Sequence, residues 1–249
     1  MTDLGGQVAV VTGGGGGIGS AICRRLAAAG AQVVITYNSD QGKARAAANT
    51  LAGGNHLITR APVDDAEAQA KLAEAVGEKY GRLDILVNNA GVTKAVPHAD
   101  LDDLNDETID QIFRVNWRGA FASIRALQPL LSDGAGGVVI NISSIAGRTG
   151  VGSNVAYCAS KAALDSMTRS LARALAPHIR VLSVSPGWVN GEYAQRMPRA
   201  LIAEQEEKTP LGRIAEAEDV AEAVYAAVAH LRFSTGDIIP VDGGRPLGE

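Results

Sequence analysis

The sequence is short of cysteine, of aromatic residues and of long apolar runs, and each shortage excludes something. Only Cys23 and Cys158 are present, far apart and both in stretches that read as helix. A structural disulfide is therefore not expected, and the chain reads as an intracellular, cytoplasmic protein. Cys158 reads as a small residue packed on a helix. No run approaches the roughly 18 apolar residues of a membrane span, and Met1–Gln7 has no basic region leading into an apolar stretch, so neither a membrane protein nor a secretion signal is expected. The four histidines are scattered without ligand spacing, which predicts no catalytic metal. The net charge of −4 argues against a nucleic-acid partner.

What remains is enough for a substantial core, since 46% of the 249 residues are hydrophobic. Short β-branched runs at 8–12, 32–37, 56–60, 85–88, 137–143, 179–185 and 238–241 read as strands. Helical patterns at 18–29, 41–52, 65–80, 104–131, 156–175 and 217–229 alternate with them. Regular alternation implies right-handed crossovers and a parallel sheet covered on both faces. The expectation is an α/β fold: one doubly wound Rossmann-type domain over 1–249, with a seven-stranded parallel sheet. The stretch 188–213 departs from the alternation and lies after the sixth strand. Loops at the carboxyl ends of strands bind ligands in such folds, so 188–213 is read as a flap over a substrate.

Two motifs carry chemistry. After the first strand come five consecutive glycines, Gly13 to Gly17, then Ile18-Gly19 and a helix. Glycine lets the backbone approach a phosphate closely, and a helix N-terminus offers unpaired N–H groups and a positive dipole end. Strand, glycine turn and helix form the dinucleotide-binding arrangement. Tyr157 and Lys161 stand four apart, with Ser144 thirteen residues upstream of the tyrosine. Positions i and i+4 share a helix face. A nearby ammonium favours phenolate and is expected to lower the tyrosine pKa toward the neutral range.

With Thr12-Gly13-x-x-x-Gly17-Ile18-Gly19 and Tyr157-x-x-x-Lys161 together, the chain resembles the short-chain dehydrogenase/reductase family, and within it the 3-oxoacyl-carrier-protein reductases. Asn88-Asn89-Ala90-Gly91, Asn116, Ile142-Ser143-Ser144, Pro186-Gly187 and Val241-Asp242-Gly243-Gly244 continue the likeness along nearly the whole chain. The resemblance implies a nicotinamide-dependent oxidoreductase that interconverts a carbonyl and an alcohol. Tyr157 would exchange the proton and Ser144 would hold the carbonyl oxygen. Lys161 would bind the nicotinamide ribose and lower the tyrosine pKa, and Asn116 would fix a water leading to solvent. Asn88 would bridge strands. The cofactor would lie along Gly13, Gly15, Gly16, Gly17 and Ile18, then Tyr37, Asn38 and Ser39. It would continue past Asn89, Ala90 and Gly91 to Pro186, Gly187 and Val189, touching Tyr157 and Lys161.

Some positions depart from the family pattern. Tyr37 ends the second strand where NAD-preferring members carry an acid, so NADP is expected, with NAD as the alternative. No arginine stands near Tyr37 in sequence, Asp40 is close by, and Lys43 reads as a solvated helix position. Asp64 is read either as the cap of the third helix, paired with Glu67, or as an adenine contact. Gly191 replaces the threonine that meets the nicotinamide carboxamide, and Asn190 is the candidate substitute. The implied partners are a small carbonyl or alcohol substrate and further copies of the chain in a homotetramer. Ala162, Ala163, Leu164, Met167 and Leu171 suit such packing. A catalytically idle, cofactor-binding regulator on the same fold is the competing class.

Overall fold

Both faces of the strands are apolar, so both must be covered, and this decides the architecture. The computed structural model describes residues 4–132 and 136–248. Its sheet consists of β1 (Val8–Val11), β2 (Gln32–Tyr37), β3 (Leu57–Arg60), β4 (Ile85–Asn88), β5 (Gly137–Ile142), β6 (Ile179–Pro186) and β7 (Ile238–Val241). The strands are all parallel, in the order β3-β2-β1-β4-β5-β6-β7, as the alternation predicts.

Side chains alternate across the sheet with period two. Ala9, Val11, Val33, Ile35, Ile85, Val87 and Ile140 join one core with α1 (Gly17–Ala28), α2 (Gln41–Ala48) and α9 (Ala217–Ala229). Val8, Val10, Val34, Leu86, Val139 and Val181 join the other with α3 (Ala66–Tyr80), α5 (Ala120–Leu131) and α7 (Val155–Ala174). Each such large side chain contributes roughly 1.5–3 kcal/mol when fully buried. A one-residue slip would exchange every side chain between the two cores, so register is strongly specified. The chain runs outward from β1 to β3 and then returns to β4 on the other side of β1. The strand order reverses there, which opens a crevice at the carboxyl edge.

Element ends differ from the sequence expectation for local reasons. The Thr50 hydroxyl donates to Ala47 O at 2.7 Å, closing α2 at Ala48 rather than at residue 52. The α3 cap is Asp65, not Asp64: Asp65 Oδ1 accepts from the Glu67 and Ala68 N–H groups, both at 3.0 Å. The expected helix at 104–131 begins later, as α4 (Asp106–Phe113), capped by Asn105. A π-helical turn, Arg114–Gly119, then separates it from α5. Gly119 is needed in that turn, because a Cβ there would lie 2.6 Å from Val63 Cγ2. The charged helix expected from the sequence at 200–208, within 188–213, is present as α8 (Arg199–Glu207), whereas the short α6 (Ala146–Thr149) was not expected. Among the described residues, no helix is long and apolar enough to cross a membrane.

Candidate active site

The site begins with how α7 is started. Asn154 caps it, accepting from Tyr157 N at 2.7 Å, while its Nδ2 donates to Lys94 O at 2.7 Å. This fixes the first turn and therefore Tyr157. Lys161 follows one turn later on the same face. Lys161 Nζ donates to Ile142 O at 2.7 Å, using the carbonyl at the end of β5, and lies 5.7 Å from the Tyr157 ring centre. Ser144 stands just beyond β5, its Oγ accepting from Ala146 N at 3.2 Å.

Burial pushes the Tyr157 phenol above its ordinary value, and a hydrogen bond with Ser144 opposes the rise. Burial brings Lys161 down to about 8, opposed by the charge of Asp165. The expectation that the lysine lowers the phenol is not met in this state. The ammonium is spent on the Ile142 carbonyl, and desolvation outweighs every other influence on the tyrosine.

A buried polar tier bolts α7 to the carboxyl edge of the sheet. Asn88, Asn141 and Ser183 stand in register on β4, β5 and β6. Asn88 Nδ2 donates to Asn141 Oδ1, and Asn141 Nδ2 donates to Thr168 Oγ1, each at 2.9 Å. Ser183 Oγ lies 3.2 Å from Asp165 Oδ1. Asn88 is thus the strand bridge that the sequence suggests. Asn116 sits inside the π turn, fully buried. Its Oδ1 accepts from Val92 N at 2.8 Å, and its Nδ2 lies 3.1 Å from both Val92 O and Ser160 Oγ. A Cβ on Gly91 would lie 3.4 Å from Asn116 Oδ1 and 3.8 Å from Lys161 Nζ, so the asparagine packs directly behind the Gly91-Val92 edge.

The glycine turn is braced against β4. Thr12 Oγ1 accepts from Asn89 N and Ala90 N at 3.0 Å each, and Asn89 Nδ2 donates to Thr12 O at 2.9 Å. The glycines of the turn, Gly13–Gly17 and Gly19, are not equivalent. A Cβ on Gly19 would collide with Gly13 O and lie 2.7 Å from Asn89 Nδ2 and 2.9 Å from Gly14 Cα. A Cβ on Gly17 would meet nothing within 4 Å. Gly19→Ala is therefore expected to destabilise the turn by about 1–3 kcal/mol and to abolish dinucleotide binding. Gly17→Ala should keep the stability of the wild type. Thermal unfolding of both variants, with and without NADP, checks this contrast.

One cavity of about 920 Å³ runs along the carboxyl edge. Gly13, Gly16, Gly17, Ile18, Tyr37, Asn38, Asp64, Asn89, Ala90, Gly91, Ser144, Tyr157, Lys161, Pro186, Gly187 and Val189 all line it. Asn116 stands behind this wall rather than in it. Gly15 and Ser39, expected at the cofactor, do not line the cavity. Gly15 is a packing glycine instead, since a Cβ there would lie 2.9 Å from Ala44 N of α2. Ser39 is exposed one residue past the lining position Asn38. Asp64, displaced from the cap by Asp65, is left on the cavity rim.

The residues present fit a dinucleotide. The α1 cap is Gly16, which offers no side-chain hydrogen bond, and the first turn carries no acid. An external anion would complete that terminus, and the open space beside Gly17 would receive it. Two basic residues stand closer to the Tyr37 end than the sequence indicates. Arg60 pairs with Tyr37 across β2 and β3, and its Nε donates to Asn38 O at 2.9 Å. Lys43 lines the cavity and forms an ion pair with Glu192 at 2.5 Å, so it is not simply solvated. Asp40 is committed to capping α2, accepting from Lys43 N at 2.8 Å. Asn190, the candidate carboxamide anchor, donates instead to Glu216 Oε1 at 3.1 Å. The stem of 188–213 is closed by Ala215 N donating to Trp188 O and Asn190 N donating to Ala215 O, at 2.9 and 2.7 Å.

Sequence reasoning passed over Asn154, Asp165 and Arg60. Asn154 had a signal, since an Asn directly before a helical pattern is a cap signature. Arg60 had none, because its proximity to Asn38 arises from strand pairing.

A glycine-turn cavity at the reversal point of a parallel sheet defines a dinucleotide-binding class of fold. A family model described as enoyl-(acyl carrier protein) reductase matches residues 13–245. A protein of Streptomyces violaceoruber, named as a ketoacyl reductase of the granaticin polyketide synthase, is 40% identical, with 96% of each chain covered. A cis-4-hydroxycyclohexanecarboxylate dehydrogenase of Sinomonas cyclohexanicum is 36% identical, again with 96% of each covered. A solved structure from Burkholderia xenovorans, described as a short-chain dehydrogenase/reductase, superposes with a TM-score of 0.92 at 35% identity, covering 97% of this chain and 98% of that one. The chain belongs to the short-chain dehydrogenase/reductase family of oxidoreductases.

Proposed function

We propose that the chain interconverts a carbonyl and a secondary alcohol, using NADP in preference to NAD, with Tyr157 exchanging the proton. The observation that carries this reading is convergence: Ser144, Tyr157 and Lys161 line the same cavity as the glycine turn, with Asn116 directly behind it. A bound nicotinamide supplies the hydride. The Tyr157 phenol, kept protonated by burial, gives its proton to the carbonyl oxygen during reduction. Ser144 orients that oxygen. Lys161, poised near 8, holds the ribose hydroxyls and brings positive charge beside the phenol when it leaves Ile142 O. Asn116 acts as a positioning residue for the Gly91-Val92 edge, and 188–213 covers the substrate.

The absence of a carboxylate from the end of β2, the commitment of Asp40 to a cap and the nearness of Arg60 and Lys43 support NADP. A ligand that binds the folded state raises its stability by mass action. At equal concentration NADP should therefore raise Tm further than NAD, and an equal or greater rise with NAD would refute the preference. Reduced-nicotinamide oxidation against ketones, sugars and acyl thioesters tests the activity itself.

We also read the chain as a homotetramer. Leu164 and Met167 are consumed by the chain's own core, so they cannot form the interface. A partner is better served by Trp117, half-exposed and stacked on Phe121 at 6.1 Å. Light scattering should give four times the chain mass, and a monomer would contradict the assignment.

A further inference from the structure

Where the cavity passes α2, its wall carries an ion pair that the proposed chemistry does not use. Lys43, in the first turn of α2, and Glu192, in the 188–213 segment, both line the cavity. Lys43 Nζ donates to Glu192 Oε1 at 2.5 Å, joining residues 149 positions apart. The Lys43 backbone packs against the glycine turn, since a Cβ on Gly15 would lie 3.2 Å from its carbonyl carbon. Tyr37 and Asn38 line the same cavity at the end of β2. The pair therefore stands between the glycine turn and the segment 188–213.

Packing does not hold this pair. The two side chains are 51% and 54% exposed. Ion pairs so exposed are weak, because water already solvates both charges. The contact is therefore exchangeable, and a stronger anion can take the place of the carboxylate. Glu192 is ionised: the Lys43 ammonium beside it holds its carboxyl below the usual carboxylate range. Its second oxygen, Oε2, lies 3.8 Å from Arg196 Nη2, so one carboxylate answers two cations. Asp40, the other carboxylate near Lys43, is kept at the α2 cap by the Lys43 N–H. A phosphate monoester carries about −1.5 to −2 charges at neutral pH and three strong acceptor oxygens. It is the better partner for the ammonium.

We infer that Glu192 is a specificity-determining residue for the dinucleotide: an internal carboxylate that occupies the Lys43 ammonium and competes there with the 2′-phosphate of NADP. This rests on the proposed NADP preference and names the residue that limits it. NAD has a hydroxyl at that position and makes no demand on Lys43, so it binds without breaking the pair. Neutralising Glu192 therefore widens the margin of NADP over NAD, and neutralising Lys43 narrows it. The competing carboxylate comes from 188–213 and not from β2, so the strand end alone does not set the selectivity.

The test reads binding rather than turnover. Adenosine 2′,5′-bisphosphate and 5′-AMP differ only in the 2′-phosphate. Each is titrated calorimetrically against the wild type, Glu192→Gln, Lys43→Met and the double variant, at low salt, where exposed charges are least screened. The readout is the ratio of the two Kd values. Glu192→Gln should raise the preference for the bisphosphate about two- to fivefold, the range of an exposed ion pair. Lys43→Met should lower it by a similar factor. In the Lys43→Met background, Glu192→Gln should change the ratio by less than about 1.5-fold, below the range of one exposed pair. Glu207→Gln, an exposed change of the same charge on α8, should keep the wild-type ratio. A ratio unmoved in Glu192→Gln, or moved equally with and without Lys43, would overturn the competition. Equal weakening of both ligands in Glu192→Gln would also overturn it and make the pair a clasp over the cleft. A wild type that binds both ligands equally would count against the NADP preference alone, if Glu192→Gln then favours the bisphosphate. If Glu192→Gln also binds both equally, the competition falls with it. Where 5′-AMP binds too weakly to titrate, NADP and NAD replace the two nucleotides, with the same ratios expected.

Discussion

Tyr157→Phe is expected to lower kcat for carbonyl reduction by roughly 10²–10⁴-fold, the range associated with loss of a positioned general acid. The change removes one oxygen and leaves the ring. The ring is partly buried on α7 and lines the cavity, and the start of that helix is fixed by Asn154 and not by the phenol. The fold and the glycine turn should therefore be untouched, and the Kd for NADP should stay within about threefold, under the 1.4 kcal/mol of a tenfold change. Steady-state kinetics and a dinucleotide titration separate the two effects. A variant that kept most of its kcat would remove Tyr157 from the chemistry. A variant that lost dinucleotide binding to the same degree as activity would make it a structural residue.

Asn116→Ala is expected to give the largest loss of stability. The buried side chain satisfies the N–H and the C=O of Val92, both in a partly buried setting, and also donates to Ser160 Oγ in a buried one. Truncation strands both Val92 groups at once. Leaving a buried polar group without a partner costs about 1–3 kcal/mol each, so a total near 3 kcal/mol and a fall in Tm of roughly 6–12 °C are expected. Activity should fall too, because the loosened Gly91-Val92 edge lies beside Lys161. Asn116→Asp is the informative companion. It keeps the acceptor for Val92 N but turns an acceptor toward Val92 O, so it should be no better than the alanine variant. A loss under about 0.5 kcal/mol, the size of an ordinary surface substitution, would show that the π turn does not depend on this side chain.

The sheet was legible from the sequence because its code is redundant. The central strands β1, β4 and β5 are almost wholly apolar on both faces, and strand alternates with helix, which is the pattern of a parallel sheet covered on both sides. Tyr157, Lys161 and Ser144 were legible because a helix face and a strand end place them without help from distant residues. Three kinds of feature were not. The π turn at Arg114–Gly119 looks like continuous helix in sequence, since no residue there is a helix breaker that marks a change from α to π hydrogen bonding. Proximity created by strand pairing, as for Arg60 beside Asn38, has no local signature. The cap at Asp65 rather than Asp64 is a one-residue choice between two aspartates, settled by which carboxylate reaches the Glu67 and Ala68 N–H groups. The direction of the tyrosine shift was missed for an electrostatic reason. Spacing reveals that a lysine is near, but not that its ammonium is turned to the Ile142 carbonyl.

The most direct test of the account follows the hydride and the proton together. Nicotinamide carrying deuterium at its transferable position is incubated with a ketone that is reduced, using the wild type and Tyr157→Phe. The account requires deuterium at the carbinol carbon of the wild-type product and a rate of labelling at least about a hundredfold lower in Tyr157→Phe. Label appearing at equal rates in both, or product alcohol formed without label, would contradict it.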